Sequence, residues 1–107
     1  MSVYIQVTTA IDSVELAKHL QEMLLQQRLA ACVQLSGPVE SQYWWNGILE
    51  TTLEWVLTLK TTQAFYTRIE SLLLAHHPYT TPEILVTPIL QGNLAYLEWI
   101  DSELEQI

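Results

Sequence analysis

The chain has few cysteines and few basic residues. Cys32 is the only cysteine among 107 residues, so no disulfide can form within the chain, as is typical of a reducing compartment. Four basic residues stand against twelve acidic ones, for a formal net charge of −8. A surface of that sign repels phosphate, so we expect neither a nucleic-acid partner nor binding to anionic membranes.

Long apolar runs and targeting signals are also missing. No run approaches the roughly 20 residues of a membrane helix, and residues 1–7 alternate like a strand, without the basic and apolar regions of a signal peptide. We therefore expect a cytoplasmic protein.

The usual enzyme motifs are absent as well. The sequence contains no Gly-rich phosphate loop and no nucleophile elbow, and nothing pairs two of its carboxylates. We expect a protein that is not an enzyme and that needs no obligatory cofactor.

Apolar residues make up half of the chain, enough for the core of one domain, which we place at residues 1–107. The prominent feature is a predicted hairpin. Asn46-Gly47 is the preferred sequence of a type I′ turn, and strand-like segments flank it on both sides. Because Trp44 and Trp45 are adjacent, a strand points them to opposite faces. We expect one of them to find its partner outside its own domain.

The remaining segments alternate between strands and helices. Asp12 and Glu15 predict a capping box at the start of the first helix, and Asn93 predicts the cap of the last. Gly37-Pro38 predicts a bulge or bend, while Pro78 ends the second helix and Pro88 the fourth strand. The apolar stripes of the three helices are Leu16, Ala17, Leu20, Met23 and Leu24; Phe65, Ile69, Leu72 and Leu73; and Leu94, Leu97, Ile100 and Leu104.

The resulting order is βαββαβ with an additional C-terminal helix. It predicts an α+β fold, a ferredoxin-like sandwich in which two helices cover one face of a four-stranded antiparallel sheet with a long central hairpin. The uncovered face and the long hairpin predict an oligomer.

Four residues are candidate metal ligands: Cys32, His76, His77 and Glu83. Their spacing does not match a zinc finger, so one chain is not expected to form a closed site, although two subunits could combine ligands. Each has a simpler interpretation. Cys32 can be a small buried apolar residue, the histidines can cap a helix, and Glu83 can cap a loop. Lys60 is either an anion-binding residue or a solvated strand end.

Six short motifs occur in register along the chain: Leu29-Ala30-Ala31-Cys32-Val33, Tyr43-Trp44-Trp45-Asn46-Gly47, Leu59-Lys60-Thr61, His77-Pro78-Tyr79, Pro82-Glu83-Ile84 and Tyr96-Leu97-Glu98-Trp99. Together they resemble the CutA divalent-cation tolerance family over essentially the whole chain. The resemblance implies a tight homotrimer, similar in architecture to the PII signalling proteins, and a link to tolerance of copper and other divalent cations.

The resemblance also implies an intersubunit cleft. Its matching residues are Cys32, Trp45, Lys60, His77, Tyr79, Glu83, Tyr96 and Trp99. Since the chain has no second cysteine, Cys32 and His77 are the main candidate copper ligands. Our leading hypothesis is a trimeric, non-enzymatic protein that binds or responds to copper or other divalent cations. The alternatives are a PII-like sensor that binds a small molecule, an anion or an unknown protein partner in the cleft, and a trimeric scaffold without a ligand.

Overall fold

The computed structural model describes residues 2–106, so Met1 and Ile107, the ends of the predicted domain, lie outside it. The elements are β1 (Tyr4–Ile11), α1 (Val14–Gln26), β2 (Cys32–Trp45), β3 (Ile48–Thr62), a 3-10 turn (Gln63–Phe65), α2 (Tyr66–His76), β4 (Ile84–Pro88) and α3 (Leu94–Glu103). The four strands form one antiparallel sheet in the order β2-β3-β1-β4. The predicted α+β architecture is confirmed.

The core lies between the helices and one face of the sheet. Val7 of β1 and Leu59 of β3 are paired neighbours on that face and are fully buried. The apolar stripes of α1 and α2 pack onto them through buried side chains that include Ala17, Leu20, Leu24, Ile69, Leu72 and Leu73. The periodicity of the sequence therefore identified the buried faces of both helices.

Two local predictions were wrong. Ser13, not Asp12, caps α1, since its Oγ accepts a hydrogen bond of 3.2 Å from the backbone N–H of Leu16. β1 runs as far as Ile11, so the chain turns into the helix one residue later than expected. Leu94 was assigned to the buried stripe of α3 but is 70% exposed, whereas Ile100 is fully buried.

Other turn and cap predictions are confirmed. Asn46 and Gly47 have φ values of 52° and 77°, as a type I′ turn requires at both positions. The register between β2 and β3 shifts between Ser36 and Val39, which is the bulge predicted at Gly37-Pro38. Asn93 caps α3 by accepting a hydrogen bond of 2.8 Å from the N–H of Tyr96.

The hairpin of β2 and β3 carries apolar side chains that the chain itself does not cover. Trp44 is 73% exposed and Trp45 45% exposed, with Val39, Ile48, Leu49 and Leu53 also exposed along the same arms. The sequence predicted that one of the two tryptophans would find its partner outside its own domain. In the structure, the chain itself buries neither of them fully. Within residues 2–106, no helix has the length and apolar character needed to cross a bilayer.

Candidate functional site

A loop that follows α2 is fixed to the end of β1 by His77. Its Nε2 lies 2.9 Å from the carbonyl oxygen of Ala10, and its Nδ1 accepts a hydrogen bond of 3.2 Å from the N–H of Tyr79. Since Nδ1 accepts, the proton is on Nε2, which donates to Ala10. Both ring nitrogens are thus engaged, and the ring also packs edge-on against Tyr79 at 4.7 Å. His77 therefore orients the loop and its tyrosine.

Tyr79 reaches from this loop to β3. Its hydroxyl donates a 2.8 Å hydrogen bond to Oε2 of Glu54, and only 8% of Glu54 is exposed. Burial, and then the adjacent Glu54 carboxylate, raise the pKa of Tyr79 above its ordinary value. The hydroxyl consequently stays protonated and keeps donating to the carboxylate over the whole physiological range.

This pair forms part of the wall of a cavity of about 500 Å³ beside the hairpin. The lining combines three aromatic rings, two carboxylates and several hydroxyl or amide groups, and it contains no basic side chain. The lining residues are Ser41, Gln42, Tyr43, Trp45, Glu54, Tyr79, Thr80, Thr81 and Glu83. Such a lining favours a cationic ligand over an anionic one.

Cys32 and Lys60 lie at a different place on the sheet. They are Cα partners across β2 and β3, and the Lys60 ammonium donates a 2.6 Å hydrogen bond to Gln34. Lys60 pairs with Gln6 of β1, whereas His77 is bonded to Ala10, four residues farther along that strand. Four residues of strand correspond to about 13 Å, so Cys32 and His77 are separated within one chain.

The other predicted site residues also lie on separate elements of the fold. His76 is the exposed last residue of α2, and the exposed Glu83 immediately precedes β4. Tyr96 and Trp99 pack against each other on α3, with ring centroids 5.4 Å apart, and neither lines the cavity. Residues 2–106 contain no group of three or more His, Cys, Asp or Glu side chains arranged to hold a metal ion.

Of the predicted cleft residues, Trp45, Tyr79 and Glu83 thus line the cavity together. Glu54 was not identified as a site residue from the sequence. Alternation along β3 places it on the same face as Lys60 but does not predict which residues bury it. One signal was available: Glu54 is the only acidic residue between Leu53 and Thr62. A lone carboxylate in such an apolar strand is a candidate for a buried interaction.

The pKa of Tyr79 predicts how stability depends on alkaline pH. Below pH 10, the ordinary pKa of tyrosine, the folded and unfolded chains both hold the proton. Above it the unfolded chain releases the proton and the folded chain retains it, so the free energy of unfolding falls as pH rises. Urea unfolding across this range should show a smaller decline for Tyr79→Phe than for the wild type. Equal declines in both proteins would contradict the assignment.

The sequence is similar to known proteins of one family. The model of a family described as CutA1 divalent ion tolerance protein matches residues 5–103. A rice protein named CutA 1, chloroplastic, is 36% identical over 98 residues, covering 92% of this chain and 55% of the rice protein. The divalent-cation tolerance protein CutA of Thermus thermophilus is 37% identical over 94 residues, covering 88% of this chain and 91% of the relative.

Solved structures agree with the sequence matches. The crystal structure of CutA1 from Oryza sativa superimposes with a TM-score of 0.95 at 33% identity, covering 99% of this chain and 97% of that chain. The chain spans about half the length of the rice sequence relative but nearly all of the rice chain seen in the crystal.

Proposed function

The chain belongs to the CutA1 family of divalent ion tolerance proteins, and from this premise we propose that it binds divalent cations, copper or zinc among them, at sites shared between the subunits of a homotrimer. The proposal includes no catalysis and no obligatory cofactor. The observation that carries it is the separation of the candidate ligands within one chain combined with the uncovered apolar hairpin.

The hairpin supports assembly. Side chains such as Trp44 and Leu49, more than half exposed in the single chain, form an apolar surface that another subunit would remove from water. Trp and Tyr are also enriched in protein interfaces. Because Cys32 and the loop after α2 lie apart within one chain, ligands from both places would have to come from different subunits of such an assembly.

The candidate ligands have the right chemistry for such ions. A thiolate from Cys32 and an imidazole from His76 suit copper or zinc, and the Glu83 carboxylate adds an oxygen ligand. His76 makes no side-chain hydrogen bond among residues 2–106, whereas both nitrogens of His77 are engaged. We therefore assign the imidazole ligand to His76 in preference to His77, which would first have to release Ala10 or Tyr79.

Calorimetric titration with Cu²⁺ and Zn²⁺ tests this function. The wild type is expected to bind, and the double variant Cys32→Ser, His76→Ala to lose at least about tenfold in affinity. In metal sites, replacing a residue that only hydrogen-bonds to a ligand already costs about 10–100-fold. His19→Ala, at an exposed position on α1, is the matched control and should bind like the wild type. Unchanged affinity in the double variant would remove these two residues from the site.

The structure gives less support to an anion sensor. The cavity beside Tyr79 has two carboxylates and no basic residue. The cytoplasmic assignment remains a prediction, because one relative is named as chloroplastic.

A further inference from the structure

Two of the six sequence motifs meet where β2 begins. The connection between α1 and β2 leads directly into Cys32, the first residue of β2. The end of β3 holds this connection at two points. The N–H of Ala31 donates a 2.9 Å hydrogen bond to the carbonyl oxygen of Lys60. The hydroxyl of Thr61 donates one of 2.7 Å to the carbonyl oxygen of Leu29. The candidate thiolate ligand therefore follows a backbone segment that a neighbouring strand fixes.

The hydrogen bond between Thr61 and Leu29 is buried by its own chain. Thr61 has no exposed surface, and Leu29 is 1% exposed, so both are closed to water before any subunit associates. A buried backbone carbonyl needs a hydrogen-bond donor, and for Leu29 the Thr61 hydroxyl is that donor. Valine at position 61 would have nearly the same shape but would leave the carbonyl unpaired. That penalty corresponds to about a factor of five or more in an equilibrium constant.

A second buried threonine shows what is particular to Thr61. Thr9 of β1 is fully buried as well, yet its hydroxyl has no hydrogen-bond partner within residues 2–106. Burial alone therefore does not give a threonine hydroxyl a role in holding the backbone. Thr61 has one because it directly follows Lys60, the residue that pairs with Cys32 across β2 and β3.

We propose that Thr61 is a positioning residue for the metal ligand Cys32. Its hydrogen bond keeps the Leu29 carbonyl inside the chain and so fixes the path by which the connection enters β2. Without that bond the carbonyl would turn toward water, and a backbone displacement of about 1 Å is enough to impair a preorganised site. The inference rests on the proposed function, in which Cys32 supplies the thiolate, and it adds a residue that does not itself touch the metal.

The reactivity of Cys32 reports on the connection without any metal. Because Cys32 is the only cysteine, the rate at which the full chain reacts with an excess of an aromatic disulfide measures this thiol alone. Thr61→Val should react at least about fivefold faster than the wild type, since the unpaired carbonyl favours local opening of the connection. Thr61→Ser keeps the hydroxyl and should react like the wild type. Thr9→Val, which removes a hydroxyl without a partner in residues 2–106, is the matched control and should also react like the wild type.

Calorimetric titration of the same variants with Cu²⁺ tests the positioning itself. Thr61→Val should lose severalfold in copper affinity, while Thr61→Ser and Thr9→Val should bind like the wild type. A faster thiol reaction in Thr61→Val with unchanged copper affinity would overturn the proposal, because the bond would then stabilise the connection without positioning the ligand. The same changes in Thr61→Ser or in Thr9→Val would also overturn it, since loss of the Thr61 hydroxyl would not be their cause.

The two measurements separate this inference from the proposed function. A wild type that does not bind copper would contradict the proposed function, and the thiol rates would still decide whether Thr61 holds Cys32 in place. Equal thiol rates in Thr61→Val and the wild type would overturn the inference, even where the wild type binds copper. If Thr61→Val does not fold, hydrogen exchange of the wild type provides the test. The amide of Ala31, which donates to Lys60, should exchange far more slowly than a free peptide, and exchange at the free-peptide rate would show that the connection opens despite the Thr61 bond.

Discussion

Replacing Trp44 with lysine and Leu49 with glutamate is expected to leave the protein as separate folded chains. The two residues are direct partners across the hairpin and are 73% and 52% exposed, outside the core. Opposite charges in such a cross-strand pair maintain the hairpin. In an interface between subunits, however, both charges would lose water, and their mutual attraction repays only part of that loss, so the charged pair is less favourable there than the apolar pair that it replaces, by about 1–4 kcal/mol.

Analytical ultracentrifugation measures the effect. The wild type should sediment as a trimer at micromolar concentration, and the Trp44→Lys, Leu49→Glu variant as a monomer with an unchanged far-ultraviolet circular dichroism spectrum. Leu25→Glu combined with Leu74→Lys places the same two charges on exposed positions of α1 and α2 and should leave the trimer intact. A variant that sediments like the wild type would show that the hairpin does not hold the subunits together.

Gly37→Ala is expected to lower the free energy of unfolding strongly. Gly37 has φ +138°, and an added Cβ would lie 2.9 Å from the carbonyl oxygen of Glu54 and 3.1 Å from Cα of Trp55. Both contacts are with the backbone of the neighbouring strand, which cannot rotate away. Backbone strain and overpacking together are expected to cost roughly 2–5 kcal/mol.

Gly47→Ala is the matched control for that substitution. Gly47 also has positive φ, +77°, but a Cβ there would meet nothing within 4 Å. Only the left-handed backbone penalty remains, about 1–2 kcal/mol. Urea unfolding should therefore give a much lower free energy of unfolding for Gly37→Ala than for Gly47→Ala. Equal free energies of unfolding in the two variants would show that the contact with Glu54 and Trp55 is relieved at little cost.

The elements that sequence predicted well depend on local chemistry. A type I′ turn needs two residues that tolerate positive φ, and Asn46-Gly47 supplies them wherever the strands lie. The stripes of α1 and α2 follow from helical periodicity alone. The sequence predictions were wrong where a neighbouring element of the fold determines the structure. Asp12 and Ser13 can both cap a helix, and the length of β1 selects Ser13. Periodicity placed Leu94 on the same stripe as Ile100 but could not show how far the core extends along α3.

The cavity depends on contacts that local patterns do not contain. Glu54 and Tyr79 are separated by 25 residues, and their hydrogen bond requires both the register of the hairpin and the course of the loop after α2. Alternation along β3 places Glu54 on a face that a sandwich leaves open, so burial by the loop was not foreseeable. His77 was foreseen as a ligand or cap, but its two hydrogen bonds, to Ala10 and Tyr79, emerge only from the folded chain.

The most direct test of cation binding between subunits is a Cu²⁺ titration by calorimetry of the wild type and of the Trp44→Lys, Leu49→Glu variant in parallel. Neither substituted residue is a candidate ligand. If Cys32 and His76 act from different chains, the dissociated variant should lose at least about tenfold in copper affinity. Equal affinity in the wild type and in a variant shown to be monomeric would contradict ligand sharing and place all ligands of the ion within a single chain.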